Sequence, residues 1–486
     1  LKVNDGGSAS MSGSGVFQFP NKGQVYVADT SGHSASLTIS DSGQLAFGGT
    51  PGSGGADFLA RAGSSTVSIS DSGVLQIGRE LWVGTTGGTH TWTLSGGRLD
   101  RAGANNEQFY FGNNSGSGSV SFNQTGGTND NAASHTYVRG TAQYDISGDP
   151  ASVAMINGNL YVDGTLNQSG GYVNNSWECY VGSTAGQTGQ FTVVSGNLKT
   201  RGLNIAETAD ATGTLTLHSG ATYTNSGLTG SGDQRIAIGA TSGSGTGTLE
   251  VKGLGNIGNG GGGGFARVEL NQTGVIKGYG TLSGWGLLQV NGRIIADGYG
   301  AGQTLAVGAG NDALTSTVEN TTDKGLYAVN GGKLTLKNVS VAIGDNTVNW
   351  GEDASDTAID LVNSARIAFT GASSGNLSGA LLATDRTDVP AGLDRPISVW
   401  QMTSPNFTSA VLTFRYDDGA LAEQGIAEGT VQLQRYDGSA WVDVSIAKDA
   451  ANNRITTSAI SPIASEGYLG MFAIHAPPQG TVVSVR

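Results

Sequence analysis

The sequence predicts an all-β protein, a right-handed parallel β-solenoid (β-helix) followed by a β-sandwich-like domain. Three observations carry this reading: a glycine-rich texture without helical stripes, a recurring strand-turn unit, and a change of texture after about residue 345. Glycine numbers 81 of 486 residues against 9 prolines, with no G-X-Y period, which excludes collagen. Apolar residues alternate with Ser, Thr and Asn in short runs, the signature of half-buried strands. Poor helix formers fill the first 340 residues, and no window carries an amphipathic helical stripe.

The first element of the repeat is an alternating apolar run closed by a Ser/Thr-Gly turn. It reads Leu37-Thr38-Ile39-Ser40-Asp41-Ser42-Gly43, then Val67-Ser68-Ile69-Ser70-Asp71-Ser72-Gly73, then Trp92-Thr93-Leu94-Ser95-Gly96. Further copies end at Gly126, Gly170, Gly196 and Gly220, with weaker ones at Gly148 and Gly253. The second element places an aromatic or small residue between two apolar ones, as in Val25-Tyr26-Val27, Leu81-Trp82-Val83, Phe109-Tyr110-Phe111, Tyr137-Val138, Leu160-Tyr161-Val162, Tyr180-Val181 and Ile236-Ala237-Ile238. The two elements take turns at about 26 residues per unit. Each unit exposes too much apolar face to fold alone, so neighbours must stack. Stacked equivalents run parallel, and the handedness of such connections favours a right-handed coil. Ten to thirteen coils would extend roughly 50 to 60 Å. Antiparallel hairpins would instead show more Asn-Gly and Asp-Gly two-residue turns.

The solenoid is expected over residues 1–345. Its rhythm loosens at the glycine run from Gly258 to Gly264, read as a loop, and persists through Leu326–Leu336. Beyond it, Ile397–Trp400, Ala410–Tyr416, Thr430–Tyr436 and Trp441–Val444 read as longer strands, giving a β-sandwich-like domain over 346–476 and a tail over 477–486.

The stretch Gly278–Leu305, the segment from Trp350-Gly351-Glu352 to Leu361-Val362-Asn363, and the block from Phe414-Arg415-Tyr416-Asp417-Asp418 to Trp441 resemble secreted β-helix proteins common in planctomycetes, many of which carry a PEP-CTERM sorting tail. The resemblance is distinctive over about the last 200 residues and otherwise a matter of texture. It implies a secreted surface or matrix protein and no agreed activity. No proline-glutamate-proline signal precedes Arg486, so the tail is expected either to have been removed or to be lacking in this member.

Charge narrows the partners. A net charge of −13 and a pI near 4.7 argue against nucleic acid or an anionic membrane as a partner through a broad basic face. No apolar stretch approaches the roughly 20 residues of a membrane span. A start at Leu1 without methionine fits a mature form whose signal peptide has gone, so the protein is expected outside the cell or on its surface. The lone Cys179, inside Glu178-Cys179-Tyr180-Val181, reads as a packed core residue.

Little chemistry is expected. Parallel β-helices include polysaccharide lyases and hydrolases, which gather carboxylates and a base on neighbouring coils; no such catalytic constellation stands out. Asp41 and Asp71 occupy the same place in successive copies and are candidate calcium ligands, as are Asp417 and Asp418, or Asp353, Asp356 and Asp360. Aspartate is equally at home in Ser-Asp-Ser-Gly turns. His33, His90, His135, His218 and His475 lack zinc-ligand spacing. Trp285, Trp350, Trp400 and Trp441 are candidates for stacking on sugar rings or for the core. Nine Asn-x-Ser/Thr sequons occur, including Asn123, Asn167, Asn271 and Asn406, and Asn123 and Asn167 at equivalent rungs are candidates for an amide ladder. The expected protein is therefore structural, a rod whose unpaired end strands allow self-assembly into a homopolymer, with extracellular glycans as the alternative partner.

Overall fold

The structure, a computed structural model, describes residues 1–19, 23–47, 57–101, 108–225, 235–254, 257–259, 266–283, 285–290, 292–297, 303–308, 316–320, 326–329, 333–337, 339–341, 347–351, 364–373, 378–382 and 389–476. It is all-β, with one α-helix of six residues, Asp418–Glu423, among them. The chain divides into two compact units, Leu1–Val275 and Ile276–Arg486.

In the first unit the described strands pair in parallel with strands earlier or later in the chain, and the pairs form three ladders. The first ladder passes from Tyr26 to Leu59, Trp82, Tyr110, Tyr137, Tyr161, Tyr180, Asn204 and Ala237. Single steps range from 19 to 33 residues, and the eight steps average about 26. The second ladder holds the turn-closed runs: Leu37 pairs with Val67, Val67 with Trp92 and Trp92 with Phe122. The third ladder follows the second across a bulge, as in Thr89–Arg101, where the register shifts between Leu94 and Arg98 before Leu99 takes up its partner Leu75.

Alternation decides which side chains turn inward. On the first ladder Val25, Val27, Phe58, Ala60, Leu81, Val83, Phe109, Phe111, Leu160, Val162, Cys179 and Val181 are buried, while Tyr26, Trp82, Tyr110, Tyr161 and Tyr180 between them face out and Leu59 is covered as well. All three ladders share one interior. The Phe58 ring meets Trp92 of the second ladder edge-on at 5.4 Å, and Asn129 Nδ2 of the third ladder donates to the Tyr144 hydroxyl of the second at 2.9 Å. At about 25 cal/mol per Å² of apolar surface this continuous core dominates the stability.

Several polar side chains enter that core with partners, while Trp92 Nε1 and Asn129 Oδ1 find none among the described residues. Gln124 and Gln168 take inward positions that Leu94, Ile146 and Val193 occupy on neighbouring rungs. Gln124 Nε2 donates to Gly127 O at 3.0 Å and to Ala154 O at 2.8 Å. Gln168 repeats the pattern on Gly171 O at 3.2 Å and Asn197 O at 3.1 Å. Asn131, Asn157 and Asn175 are in register and fully buried. Thr136 Oγ1 donates to Asn157 Oδ1 at 2.6 Å, and Asn157 Nδ2 donates to Asn175 Oδ1 at 3.2 Å. This interior column, not Asn123 and Asn167, is the amide ladder. Asp145 lies in register between those two, and Asn167 Nδ2 donates to its Oδ1 at 2.8 Å.

In the second unit parallel pairs run Gly280–Ser283 with Leu305–Gly308, Leu287–Val290 with Thr317–Asn320, and Ser316–Val318 with Val339–Val341. The pairing then becomes antiparallel at Lys333–Thr335 with Ser378–Ala380. One antiparallel set joins Ser378–Leu382, Pro396–Thr403, Gly470–His475, Gln432–Tyr436 and Trp441–Asp443. A five-stranded sheet joins Thr347–Gly351, Ser364–Thr370, Ser409–Arg415, Arg454–Thr457 and Ser445–Asp449. Phe414 of that sheet packs on Phe472 at 5.3 Å and Trp400 at 6.3 Å, so the two sets share an apolar interior. The divide drawn at residue 345, the glycine run over 260–264 and the tail 477–486 lie outside the described residues.

Candidate ligand-binding surface

The outward positions of the first ladder carry an ordered array of stacked rings. In-register parallel strands set like residues above one another at the strand spacing of about 4.8 Å. The rings of Trp82, Tyr110, Tyr137, Tyr161 and Tyr180 therefore stack, with successive centroids 4.4, 4.9, 4.5 and 4.7 Å apart. Interplanar angles fall from 30° at the tryptophan to 4° at Tyr180. Stacking covers the ring faces and leaves the edges outward.

A polar column two residues earlier on each strand engages those edges. Trp82 Nε1 donates to Glu80 Oε2 at 3.0 Å, Asn159 Nδ2 to the Tyr161 hydroxyl at 3.3 Å, and the hydroxyls of Tyr110 and Tyr180 to Gln108 and Glu178. The Arg139 guanidinium lies 4.4 Å over Tyr110 and 5.6 Å from Tyr137, within cation–π range. Burial, with neighbouring Tyr161 and Tyr110, pushes the Tyr137 phenol up to about 12, and burial together with Glu178 raises that of Tyr180.

At one flank of this array sits Trp177, at the turn preceding Glu178–Val181. It is 42% exposed, and its ring meets His135 with centroids 5.8 Å apart. Gly158 lies one coil before it, and Trp177 N–H donates to Gly158 O at 3.0 Å. A Cβ at Gly158 would stand 2.4 Å from Ser134 O, so that coil carries no side chain beneath the indole. Asn159, Trp177, Glu178 and Arg201 line a pocket of about 230 Å³ beside it. Asn159 is held in place, since its Oδ1 accepts from Glu178 N–H at 2.9 Å. Burial holds the His135 imidazole below the usual histidine value.

Asp41 and Asp71 lie on adjacent turns, each following one of two paired strands, with Ser72 N–H donating to Asp41 O at 2.7 Å. Their carboxylates serve backbone amides: Asp41 Oδ2 accepts from Gly13 N–H at 3.1 Å, and Asp71 Oδ2 faces Asp41 N–H at 3.4 Å. Both residues adopt left-handed backbone, φ 52° and 54°, which aspartate tolerates better than most side chains. Asp417 is the N-cap of the short helix, its Oδ1 accepting from Gly419 N–H at 2.8 Å, and Asp418 lies in the first turn. Among the described residues no group of three or more His, Cys, Asp or Glu converges as a metal site would require. Asp353, Asp356 and Asp360 lie outside the described residues.

Among the tryptophans singled out from sequence, Trp400 is fully buried and Trp441 is partly buried, its Nε1 donating to Pro390 O at 3.1 Å. The side chains of Trp285 and Trp350 lie outside the described residues. His90 is buried, its Nε2–H donating to Gly87 O at 2.9 Å and its Nδ1 accepting from Ser65 Oγ at 2.8 Å. Cys179 packs in the core, where burial pushes its thiol up to about 12.

No helix among the described residues is long and apolar enough to cross a membrane. Searches of protein-family models, of curated proteins and of solved structures return no match to the chain.

Proposed function

We propose that the protein is a secreted structural protein of the cell surface or extracellular matrix, built on a right-handed parallel β-solenoid and completed by a β-sandwich-like domain. The observation that carries this reading is the in-register parallel pairing of the first unit, whose three ladders close around one uninterrupted core. Eleven strands of its first ladder at about 4.8 Å spacing make that unit a stiff spacer about 50 Å long. Neighbour-only contacts give such a stack rigidity along its axis without a deep cleft for chemistry. The resemblance to secreted planctomycete β-helix proteins points to the same setting.

Self-assembly is the mode of action we favour. Val16 and Phe17 are exposed, an apolar surface suited to a second copy. Negative-stain electron microscopy and sedimentation of the full chain test this. Filaments or ordered sheets that grow with concentration are expected, and a protein that stays monomeric at every concentration refutes assembly.

A second reading, binding of extracellular glycans, is favoured by the exposed indole of Trp177 beside the polar pocket of Asn159, Glu178 and Arg201. Retention of the protein on insoluble polysaccharide tests it.

A further inference from the structure

We infer that Trp177, Asn159, Glu178 and Arg201 form a subsite for one pyranose ring of a neutral polysaccharide, an inference that rests on the glycan-binding reading. A pyranose presents an apolar C–H face ringed by hydroxyls that both donate and accept. Recognition therefore needs a flat apolar plate with donors and acceptors around its rim.

The pocket supplies these parts from three neighbouring coils. The plate is the indole of Trp177, the most exposed aromatic side chain of this flank at 42%. It is carried on a turn, so it does not join the ring stack that covers the faces of Tyr137, Tyr161 and Tyr180. His135 braces it at 5.8 Å across Gly158, which fixes the plate without a side chain of the intervening coil. For the rim, Asn159 contributes an amide already oriented through Glu178 N–H and the Tyr161 hydroxyl. The Glu178 carboxylate is held from the far side by the Tyr180 hydroxyl and has acceptor capacity beyond that one bond. Arg201 lines the same pocket and brings donors only.

The charges decide the class of sugar. One carboxylate and one guanidinium line the pocket together, so it offers no net charge to a uronate or a sulfated unit. The net charge of −13 on the whole chain also disfavours a polyanion. A neutral hexose or pentose polymer remains, lying with one ring on the indole and its chain running over the surface.

The test is affinity electrophoresis of the full chain through gels containing soluble β-glucan, mannan, galactan or arabinoxylan, with polygalacturonate gels as the charged comparison. Comparison is with W177A, W177F and E178Q, and far-ultraviolet dichroism and melting temperature serve as folding controls. Because Trp177 is exposed, W177A should fold and melt as the parent does. Retardation by at least one neutral polymer is expected, with affinity falling on the order of tenfold or more in W177A. It should be partly restored in W177F and reduced in E178Q. Retardation that W177A and E178Q leave unchanged overturns the subsite while glycan binding stands elsewhere. Retardation by none of the four polymers overturns both, and a preference for polygalacturonate over them overturns the assignment to neutral sugars.

Discussion

The interior amide column gives the sharpest stability prediction, and Asn157→Ala is its centre. Asn157 accepts from Thr136 Oγ1 at 2.6 Å and donates to Asn175 Oδ1 at 3.2 Å, and all three residues are fully buried. Truncation leaves one hydroxyl and one amide oxygen without their partner and without water. Each such group costs about 1–3 kcal/mol, so the variant should lose about 2–6 kcal/mol. Asn167→Ala is the matched control. Its single bond to Asp145 lies on the outer face, where water replaces it, so the cost should stay below about 1 kcal/mol. Urea denaturation gives the two midpoints, and hydrogen exchange locates the loss. Because each strand pairs only with its neighbours in the ladder, protection should fall first over residues 153–162 and 172–181. Equal midpoints for Asn157→Ala and Asn167→Ala would refute the claim that the buried column is a stabilising network.

Three further outcomes follow from the same geometry. Asp71, at φ 54°, should tolerate glycine within a few tenths of a kcal/mol but lose about 1–2 kcal/mol on change to valine, read by thermal melting; millimolar calcium should leave the parent melting temperature unmoved because the carboxylate faces backbone amides. Alkaline pH should destabilise the first unit: Cys179 ionises near 9.0 when unfolded but near 12 when folded, and Tyr137 near 10.0 against about 12. Both folded values are raised, so unfolding releases protons above pH 9. Stability should be full below that and fall as pH rises towards 12, while a flat profile from pH 8 to 11 would contradict the burial. In the second unit, buried Arg435 donates to Leu469 O at 2.9 Å, Ser461 O at 2.7 Å and Tyr468 O at 2.7 Å. Arg435→Met should cost about 3–5 kcal/mol in denaturation, and Arg435→Lys should recover only part, because one ammonium cannot span the fork.

Much of the fold's periodicity was legible because strand pairing constrains composition. The Val-Tyr-Val type of run marks the first ladder and the Ser/Thr-Gly run the second, each through the alternation that a one-sided core demands. The third ladder was hidden because it follows the second without a spacer. In Thr89–Arg101 only the bulge after Leu94 separates the two, and a bulge has no composition of its own beyond Gly96 and Gly97. Parity along the strand, and not composition, marks the amide column. Counting by twos from buried Met155 or Val173 sets Asn157 and Asn175 inward, whereas Asn123 and Asn167, next to inward Phe122 and Leu166, must face out. The same count puts Gln124 and Gln168 inside, where the carbonyls of the following turn satisfy them.

The site is harder to read for a related reason. Each member of the stack from Trp82 to Tyr180 is visible as the centre of a strand run, but consecutive members lie 19 to 28 residues apart, so no fixed period aligns them. Strands must keep register because each backbone amide needs its partner, and every difference in coil length is absorbed in the turns. Turns are therefore where the sequence is free, and Trp177 stands in one, after Asn174-Asn175-Ser176 and outside any alternation that would mark it. What singles it out is exposure beside His135, Asn159, Glu178 and Arg201, residues from four different coils, and only the pairing brings those coils together. A scaffold of this kind can hold its core constant while a turn acquires a binding residue, because substituting Trp177 disturbs no strand pair.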